Sequence, residues 1–195
     1  MGQFLSVAWV NILPLTPPPV CGATGSWTTT AHAGGKIAYD LDDPAKLARL
    51  VKGRPNRLSA EPFEVEGRSY PLRVSFPAWN QAAPKSERWP IAQFAAGNLT
   101  TMDWSQAAAL EQPIHNPGDR TIVVLISLED TAKGWLQRTV EIPPHVPMLL
   151  RVPMDEARLS VDPGHIQRWL LWEADPPVAV EFRLGTLMLA PAGKK

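Results

Sequence analysis

The chain has 195 residues, which is enough for one domain with a substantial core and cramped for two. Hydrophobic residues make up 45% of it and charged residues 19%, a globular composition that excludes a wholly disordered chain. Acidic and basic residues balance at 19 each, so charge gives no reason to expect nucleic-acid binding, and no apolar run approaches the roughly 20 residues that span a bilayer.

Two residue types are unusually frequent, with 21 prolines and 8 tryptophans. Because proline lacks a backbone N–H and blocks helix interiors, its spread along the chain predicts many short elements joined by turns. Tryptophan offers a large flat ring that suits both protein cores and the faces of sugar rings. The single cysteine, Cys21, excludes an intramolecular disulfide and a cysteine-based metal cluster.

The first 35 residues contain no Lys, Arg, Asp or Glu. Phe4 to Leu15 has the length of a signal-peptide core, and Ala31-His32-Ala33 is the small-x-small pattern that a signal peptidase accepts. We therefore expect residues 1–35 to be a charge-free leader, either a signal peptide cleaved after Ala33 or a disordered segment. Cleavage would make the protein secreted or periplasmic. We expect residues 36–195 to form a single domain.

One short helix is predicted near the start of this domain, from Ala45 to Val51. Asp43 can accept hydrogen bonds from the free N–H groups at its beginning, and Pro44 suits the first helical position. Gly53 can end it in a left-handed conformation.

Beyond the helix the hydrophobic pattern repeats every two residues, which is typical of strands. Thr121 to Leu128 is β-branched and almost wholly apolar, and it predicts a central strand covered on both faces. It follows Asn116-Pro117-Gly118-Asp119, a strong turn signal. The other strands predicted in this half are Tyr70–Trp79, Trp89–Ala95 and the second half of Ala107–His115, whose Ala-rich first half also suits a helix.

The C-terminal part continues the same pattern. Trp135–Ile142 and Val146–Val152 predict a hairpin with Pro143-Pro144 at its corner. Ile166–Glu173 fits a helix or a strand. Val178 to Leu184 alternates apolar and charged residues and is the clearest strand, with Gly185 suited to a bulge before Leu187 and Leu189. Short strands that recur with turns between them thus predict an all-β fold, a sandwich or a barrel, with one short N-terminal helix.

Several short segments recur in a recognisable order. They are Trp89-Pro90, Met102-Asp103-Trp104-Ser105, His115 to Asp119, the strand Thr121–Leu128, the break Ile142-Pro143-Pro144 and the closing Arg183 to Leu187. In this order they resemble the galactose-binding-like β-sandwich (jelly-roll) modules that accompany agarase-type glycoside hydrolases.

The resemblance implies that the fold is an antiparallel β-sandwich of the jelly-roll type with one short N-terminal helix. It also implies a carbohydrate-associated binding module, with Trp89 and Trp104 at structural framework positions. The chain departs from the pattern at Gly185-Thr186, where such modules often carry Asp-Asn. The catalytic barrel that normally follows such a module is not among these 195 residues.

Two tryptophans are the ligand-binding candidates. Trp135 lies beside a turn, and Trp79 lies beside a loop that contains proline and asparagine. Loop ends of a sandwich usually carry function, and exposed tryptophans can act as platforms for sugar rings. The alternative for every tryptophan is packing in the core.

No catalytic residue and no metal site is predicted. Glu129-Asp130 and Asp155-Glu156 are adjacent carboxylates, and neighbours on a strand point to opposite faces. No histidine pair has metal-ligand spacing, and we expect His115 and His145 to be half-exposed loop residues. No cofactor is expected, although carbonyl and Asp oxygens have the chemistry to hold a structural calcium.

Three functions compete at this point. The first is a non-catalytic module that binds a polysaccharide or oligosaccharide. The second is a structural or assembly protein that uses the sandwich as a surface for a protein partner, which would require a large exposed apolar patch. The third, ranked last, is a jelly-roll polysaccharide hydrolase or lyase. It requires convergent acid and base groups, and nothing in the sequence brings the only two tyrosines, Tyr39 and Tyr70, together.

Overall fold

A computed structural model describes residues 35–53, 57–79, 82, 88–174 and 176–192. The leader expected over residues 1–35 lies outside the described residues except for Gly35, and so does most of the turn-rich stretch between Trp79 and Trp89. The described part contains two α-helices, α1 (Pro44–Lys52) and α2 (Met154–Ala157), and a 3-10 helix, Pro163–His165. Neither α-helix has the length and apolar composition needed to cross a membrane.

Strands make up about half of the described structure. In chain order they are β1 (Lys36–Tyr39), β2 (Leu58–Ala60), β3 (Glu64–Val65), β4 (Arg68–Ser69), β5 (Leu72–Phe76), β6 (Ile91–Ala95), β7 (Ala107–His115), β8 (Ile122–Asp130), β9 (Trp135–Ile142), β10 (Met148–Pro153), β11 (Ile166–Trp172), β12 (Val180–Leu184) and β13 (Leu187–Pro191).

The first sheet has seven antiparallel strands, in the order β1-β13-β7-β12-β5-β2, with β10 paired to the other side of β7. Gly185 links β12 to β13 at a point where β7 carries Pro113, and its N–H donates to the Pro113 carbonyl at 2.9 Å. A Cβ at Gly185 would lie 2.9 Å from the Pro113 Cβ and 2.9 Å from the Ser69 carbonyl oxygen. This close approach of backbones therefore requires glycine.

The second sheet has four antiparallel strands, in the order β6-β11-β8-β9. Its inward side chains, such as Ile126 and Leu171, join those of the first sheet in one buried cluster. A hydrogen bond of 2.8 Å from Trp169 Nε1 to Gln112 Oε1 links the two layers inside this core. The prediction of an all-β antiparallel sandwich with a short helix is confirmed.

The predicted helix is present as α1. Asp43 Oδ1 accepts from the N–H groups of Ala45 and Lys46 at 2.9 and 3.3 Å, and Leu50 on the inner side is buried. The prediction for Gly53 is wrong. Its φ of −69° is right-handed, and its N–H donates to the Val51 carbonyl.

The predicted hairpin of β9 and β10 is also wrong. β9 pairs with β8 in the four-stranded sheet, and β10 pairs with β7 in the seven-stranded sheet. Between them, Pro143 and Pro144 offer no N–H for a strand ladder, and here the chain crosses from one layer to the other. β8 is central in its sheet as predicted, but its outer face is not fully covered, because Val123 is 45% exposed.

Candidate functional site on the outer face of the four-stranded sheet

Alternation along the four-stranded sheet divides its side chains between the core and an outer surface, which we call the tryptophan face. Strand register fixes its rows. Arg168 lies opposite Glu129, which lies opposite Trp135, and Trp172 lies opposite Leu125. The other members of the face are Ile91, Gln93, Ala95, Leu170, Val123, Ser127, Gln137, Thr139 and Glu141.

Trp135 begins β9 at one corner of this face and is 54% exposed. It lines an open depression of about 250 Å³ together with Glu129, Lys133, Gln167 and Arg168. An indole ring at such a position presents apolar surface beside groups that can form hydrogen bonds. The structure thus places this predicted residue on an open surface, while its role in ligand binding stays a prediction.

Trp172, at the end of β11, lies nearer the middle of the face. Its Nε1 donates to Ser127 Oγ on β8 at 2.8 Å, which holds the indole ring against the neighbouring strand. On β8, the partner of Trp135 is Glu129 and the partner of Trp172 is Leu125, which lies four residues away. Across the sheet, β9 and β11 are two strand spacings apart. The Cα separation is therefore about 16 Å, longer than a single sugar ring.

Trp89 extends the face at the opposite edge. It precedes the buried Pro90 and is 54% exposed, so alternation places it on the same side as Ile91. The N–H of Glu173 donates to the Pro90 carbonyl at 3.4 Å, which continues the pairing past β6. Trp89 thus lies two residues before β6, and Trp135 begins β9 at the other edge of the sheet. Their Cα atoms are about 25 Å apart, along a diagonal that passes Trp172.

The two tryptophans expected at framework positions differ. Trp104 is 1% exposed, and its Nε1 donates to the Thr101 carbonyl at 2.9 Å, as expected for a structural residue. Trp89 does not enter the core, because the core positions of its strand belong to Ala92 and Phe94. Instead, the guanidinium carbon of Arg88 lies 5.7 Å from the centre of its ring.

Trp79, the second predicted ligand residue, follows β5 and is half-buried. Its backbone N–H donates to the Pro176 carbonyl at 2.8 Å. The guanidinium carbon of the same Arg88 lies 5.6 Å from the centre of the Trp79 ring. Trp79 therefore lies near the Trp89 corner, since both rings contact one guanidinium. Within the described part of the chain, the Trp79 indole N–H is buried without a partner. The two predicted residues therefore lie at opposite ends of the diagonal.

The turn between β8 and β9 is fixed by Asp130. Its Oδ1 accepts from the N–H groups of Ala132 and Gly134 at 2.8 and 2.7 Å, and its Oδ2 accepts from that of Asp162 at 2.7 Å. These donors, that of Asp162 first, lower the pKa of the Asp130 carboxyl. A Cβ at Gly134 would lie 2.3 Å from Asp130 Oδ2, so the turn that carries Lys133 admits only glycine there.

The adjacent carboxylates point to different sides, as expected. Glu129 Oε2 accepts from Arg168 Nε at 2.7 Å on the tryptophan face, whereas Asp130 holds the turn. Both tyrosines are buried. Burial raises the pKa of Tyr70 to about 12, and Tyr39 donates to a backbone carbonyl of α1. The described residues thus bring none of these groups together as an acid–base pair.

The prediction for His115 is wrong. It lies in β7 and is 4% exposed, with its ring centre 5.2 Å from that of Phe63 and 5.8 Å from that of Tyr70. The turn begins one residue later, at Asn116, so the strand carries His115 under Phe63. Burial lowers its pKa. His145 is exposed as expected. No group of three or more His, Cys, Asp or Glu in the described residues could hold a metal ion.

Comparison of the sequence with known protein-family profiles and with curated proteins gives no match. Comparison of the structure with solved structures does give matches. An exo-β-agarase matches with a TM-score of 0.57 at 14% identity, over 71% of this chain and 22% of the agarase. A family 11 carbohydrate-binding module from Clostridium thermocellum, in complex with a β-1,3-1,4-mixed-linked tetrasaccharide, matches with a TM-score of 0.51 at 12% identity, over 71% of this chain and 85% of the module.

The chain has the galactose-binding-like β-sandwich fold. A second structure of a family 11 module, from a cellulosomal cellulase of Clostridium thermocellum, agrees, with a TM-score of 0.51 at 12% identity and 84% of the module covered. The chain spans about a fifth of the agarase, so the likeness concerns a part of that enzyme. At these identities the likeness establishes the fold.

Sequence reasoning missed two members of the site within this fold. Trp172 was hidden because Ile166–Glu173 fitted a helix as well as a strand. Once β11 is a strand with Trp169 and Leu171 inward, alternation alone turns Trp172 outward. Trp89 was assigned to the framework through the resemblance, although its position directly before Pro90 is equally typical of a strand edge.

Proposed function

We propose that this chain is a non-catalytic carbohydrate-binding module that holds a polysaccharide across the tryptophan face. The observation that carries the proposal is the diagonal of Trp135, Trp172 and Trp89 on one open sheet face. Flat aromatic rings pack well against the C–H faces of sugars, and a series of them suits an extended chain. Because the diagonal is about 25 Å long, the ligand is an oligosaccharide segment and not a single sugar.

Polar groups lie between the rings. Gln93 and Gln137 stand on either side of the centre, and Thr139 is exposed on β9. Amide and hydroxyl groups can both donate and accept hydrogen bonds, which matches sugar hydroxyls. They are carried by strands and not by loops, so the surface is preorganised and little ordering entropy opposes binding.

The non-catalytic part of the proposal rests on how the nearby carboxylates are engaged. Arg168 holds Glu129, and backbone N–H groups hold Asp130. A glycosidase needs two carboxyl groups about 5 to 9 Å apart that face the same bond, one of them with a raised pKa. The pKa of Asp130 is lowered instead. The likeness to two family 11 module structures, one of which contains a bound tetrasaccharide, supports a binding role.

The test is the Trp135→Ala variant, titrated with a panel of plant, algal and bacterial polysaccharides by tryptophan fluorescence and affinity electrophoresis. We expect about a tenfold loss of affinity, because a stacked aromatic contributes up to about 1.5 kcal/mol. Trp79→Ala should lose less, because its ring is already half-buried.

The matched control is Ile37→Ala, which removes an exposed apolar side chain from β1 in the seven-stranded sheet. It should bind as the unaltered protein does. If the folded protein bound no glycan of the panel, or if Trp135→Ala bound as tightly as the Ile37 control, the proposal would be wrong. A role as a structural or assembly protein would then be favoured.

We also propose that residues 1–35 are an export leader preceding a single sandwich domain of residues 36–195, and that the mature protein is secreted or periplasmic. Two observations support this: the absence of charge up to Lys36 and the Ala31-His32-Ala33 pattern. Expressed with its leader in a Gram-negative host, the protein should reach the periplasm or medium. N-terminal sequencing should then read from Gly34. An intact N-terminus on protein retained in the cytoplasm would contradict the proposal.

A further inference from the structure

Cationic side chains accompany the tryptophan face at the Trp135 corner. The depression beside Trp135 is lined by two cations, Lys133 and Arg168, and by one carboxylate, Glu129. Arg168 pairs with Glu129 at 2.7 Å, so those two charges largely cancel. Lys133 lies exposed on the turn. The depression therefore carries a surplus of one positive charge.

The acidic groups near this corner are engaged elsewhere. Asp130 accepts three backbone N–H groups, and Asp162 Oδ2 lies 2.7 Å from His165 Nδ1. Glu141, the other carboxylate on the described tryptophan face, lies at the far end of β9, about 20 Å from Trp135 and off the diagonal. A ligand that follows the diagonal thus meets Lys133 and Arg168 and passes Glu141 at a distance.

The excess of positive charge lies at the corner where Trp135 exposes its ring, in a chain whose formal net charge is zero. A ligand that packs against this ring therefore passes beside Lys133 and the Arg168–Glu129 pair.

We propose that the polysaccharide bound on this face is anionic, carrying carboxylate or sulfate groups that approach Lys133 and Arg168 beside Trp135. This inference rests on the proposed function. A planar guanidinium matches the two oxygens of a carboxylate or sulfate, and an ammonium adds a mobile point charge. Arg168, oriented by Glu129, can present its outer edge to the ligand, while the rings of Trp135 and Trp89 bind the sugar faces.

The experiment compares matched pairs of polysaccharides on the full chain. Polygalacturonate is compared with its methyl-esterified form, and a sulfated galactan with the same galactan after desulfation. Each titration is run at about 0.01 M and about 1 M NaCl, between which the screening length falls from about 30 to about 3 Å. The two pairs separate the carboxylate from the sulfate as the group recognised.

We expect one anionic member to bind at least about tenfold more tightly than its neutral partner at low salt, and the difference to shrink at high salt. Lys133→Gln should weaken binding to the anionic member about three- to fivefold and leave binding to the neutral one unchanged. Lys52→Gln, at the exposed end of α1, is the control and should change neither.

Failure of this inference differs from failure of the proposed function. If neutral and anionic partners bound equally and independently of salt, while Trp135→Ala still lost affinity, the face would bind neutral glycans and the charge inference alone would be overturned. If no polysaccharide bound at either salt concentration, the proposed function would be overturned, and the inference with it.

Discussion

Part of the outer face of the seven-stranded sheet is covered by the chain around Phe63, whereas the tryptophan face of the other sheet is open. Phe63, just before the small β3–β4 hairpin, packs over His115, and the Arg183 guanidinium carbon lies 5.1 Å from the Phe63 ring centre. Tyr70 lies beneath this cover and is wholly buried. On the tryptophan face, by contrast, Trp135 keeps more than half of its surface exposed.

The charges of the two faces differ in the same way. On the seven-stranded sheet, Arg73 contacts Glu61 at 3.0 Å and Glu181 at 2.6 Å, and Arg183 contacts Glu61 at 3.0 Å. Cations and carboxylates there satisfy one another. On the tryptophan face, Arg168 has one carboxylate and Lys133 lies exposed beside it. The same two-residue alternation thus produces a self-paired surface on one layer and a surface suited to a ligand on the other.

The largest expected effect is at the turn that supports the open face. Asp130→Ala removes the acceptor of three backbone N–H groups and should lower the free energy of unfolding by about 3 kcal/mol. Urea denaturation measures this loss. Polysaccharide affinity should fall too, because the turn positions Lys133 and Trp135.

Two variants make the Asp130 prediction specific. Asp130→Asn keeps an oxygen for Ala132 and Gly134 and should lose less stability than Ala. Asp119→Ala, in the turn that follows β7, removes a fully exposed carboxylate and should change stability by less than about 0.5 kcal/mol. Equal stability of Asp130→Ala and Asp119→Ala would show that the β8–β9 turn does not depend on its carboxylate.

A smaller, pH-dependent effect is expected on the covered face. Burial lowers the folded-state pKa of His115, and the nearby charges of His145 and Arg183 act in the same direction. Below about pH 6.5 the histidine is therefore protonated in the unfolded chain but stays neutral in the folded chain. The free energy of unfolding falls as the pH drops toward the folded-state pKa. In His115→Gln this part of the fall should be missing. Denaturant unfolding between about pH 7.5 and about pH 5.5 measures the difference.

The controls separate titration from packing on this face. His145→Gln changes an exposed histidine and should keep the pH-dependent fall. Tyr70→Phe should change stability by less than about 1 kcal/mol between about pH 5.5 and about pH 7.5, because within the described residues the buried hydroxyl has no hydrogen-bond partner to lose. If His115→Gln lost stability with falling pH as steeply as the unaltered protein, His115 would not be the group responsible.

Local features of the fold could be predicted from the sequence because the residues that form their hydrogen bonds lie within a few positions of one another. The α1 cap depends on Asp43 and the two residues that follow Pro44, and the Asn116 turn on an N–H two residues ahead. The hydrophobic pattern located β5, β6, β8, β9, β10 and β12, whereas β1 to β4 were not predicted and β11 was left open between helix and strand. The β9–β10 prediction failed because strand pairing depends on distant segments, and the two strands found partners in different layers.

The candidate site could be predicted only in part, because it too depends on the pairing of distant segments. The sequence by itself determined a β-sandwich with many tryptophans, and it placed Trp135 and Trp79 near loop ends. Only the tertiary structure decided that Trp172 and Trp89 join Trp135 on one diagonal, and that His115 is buried under Phe63. Strand order and sheet pairing set these neighbours, and residues up to 83 positions apart in the chain, such as Trp89 and Trp172, share one face only after the sheet has formed.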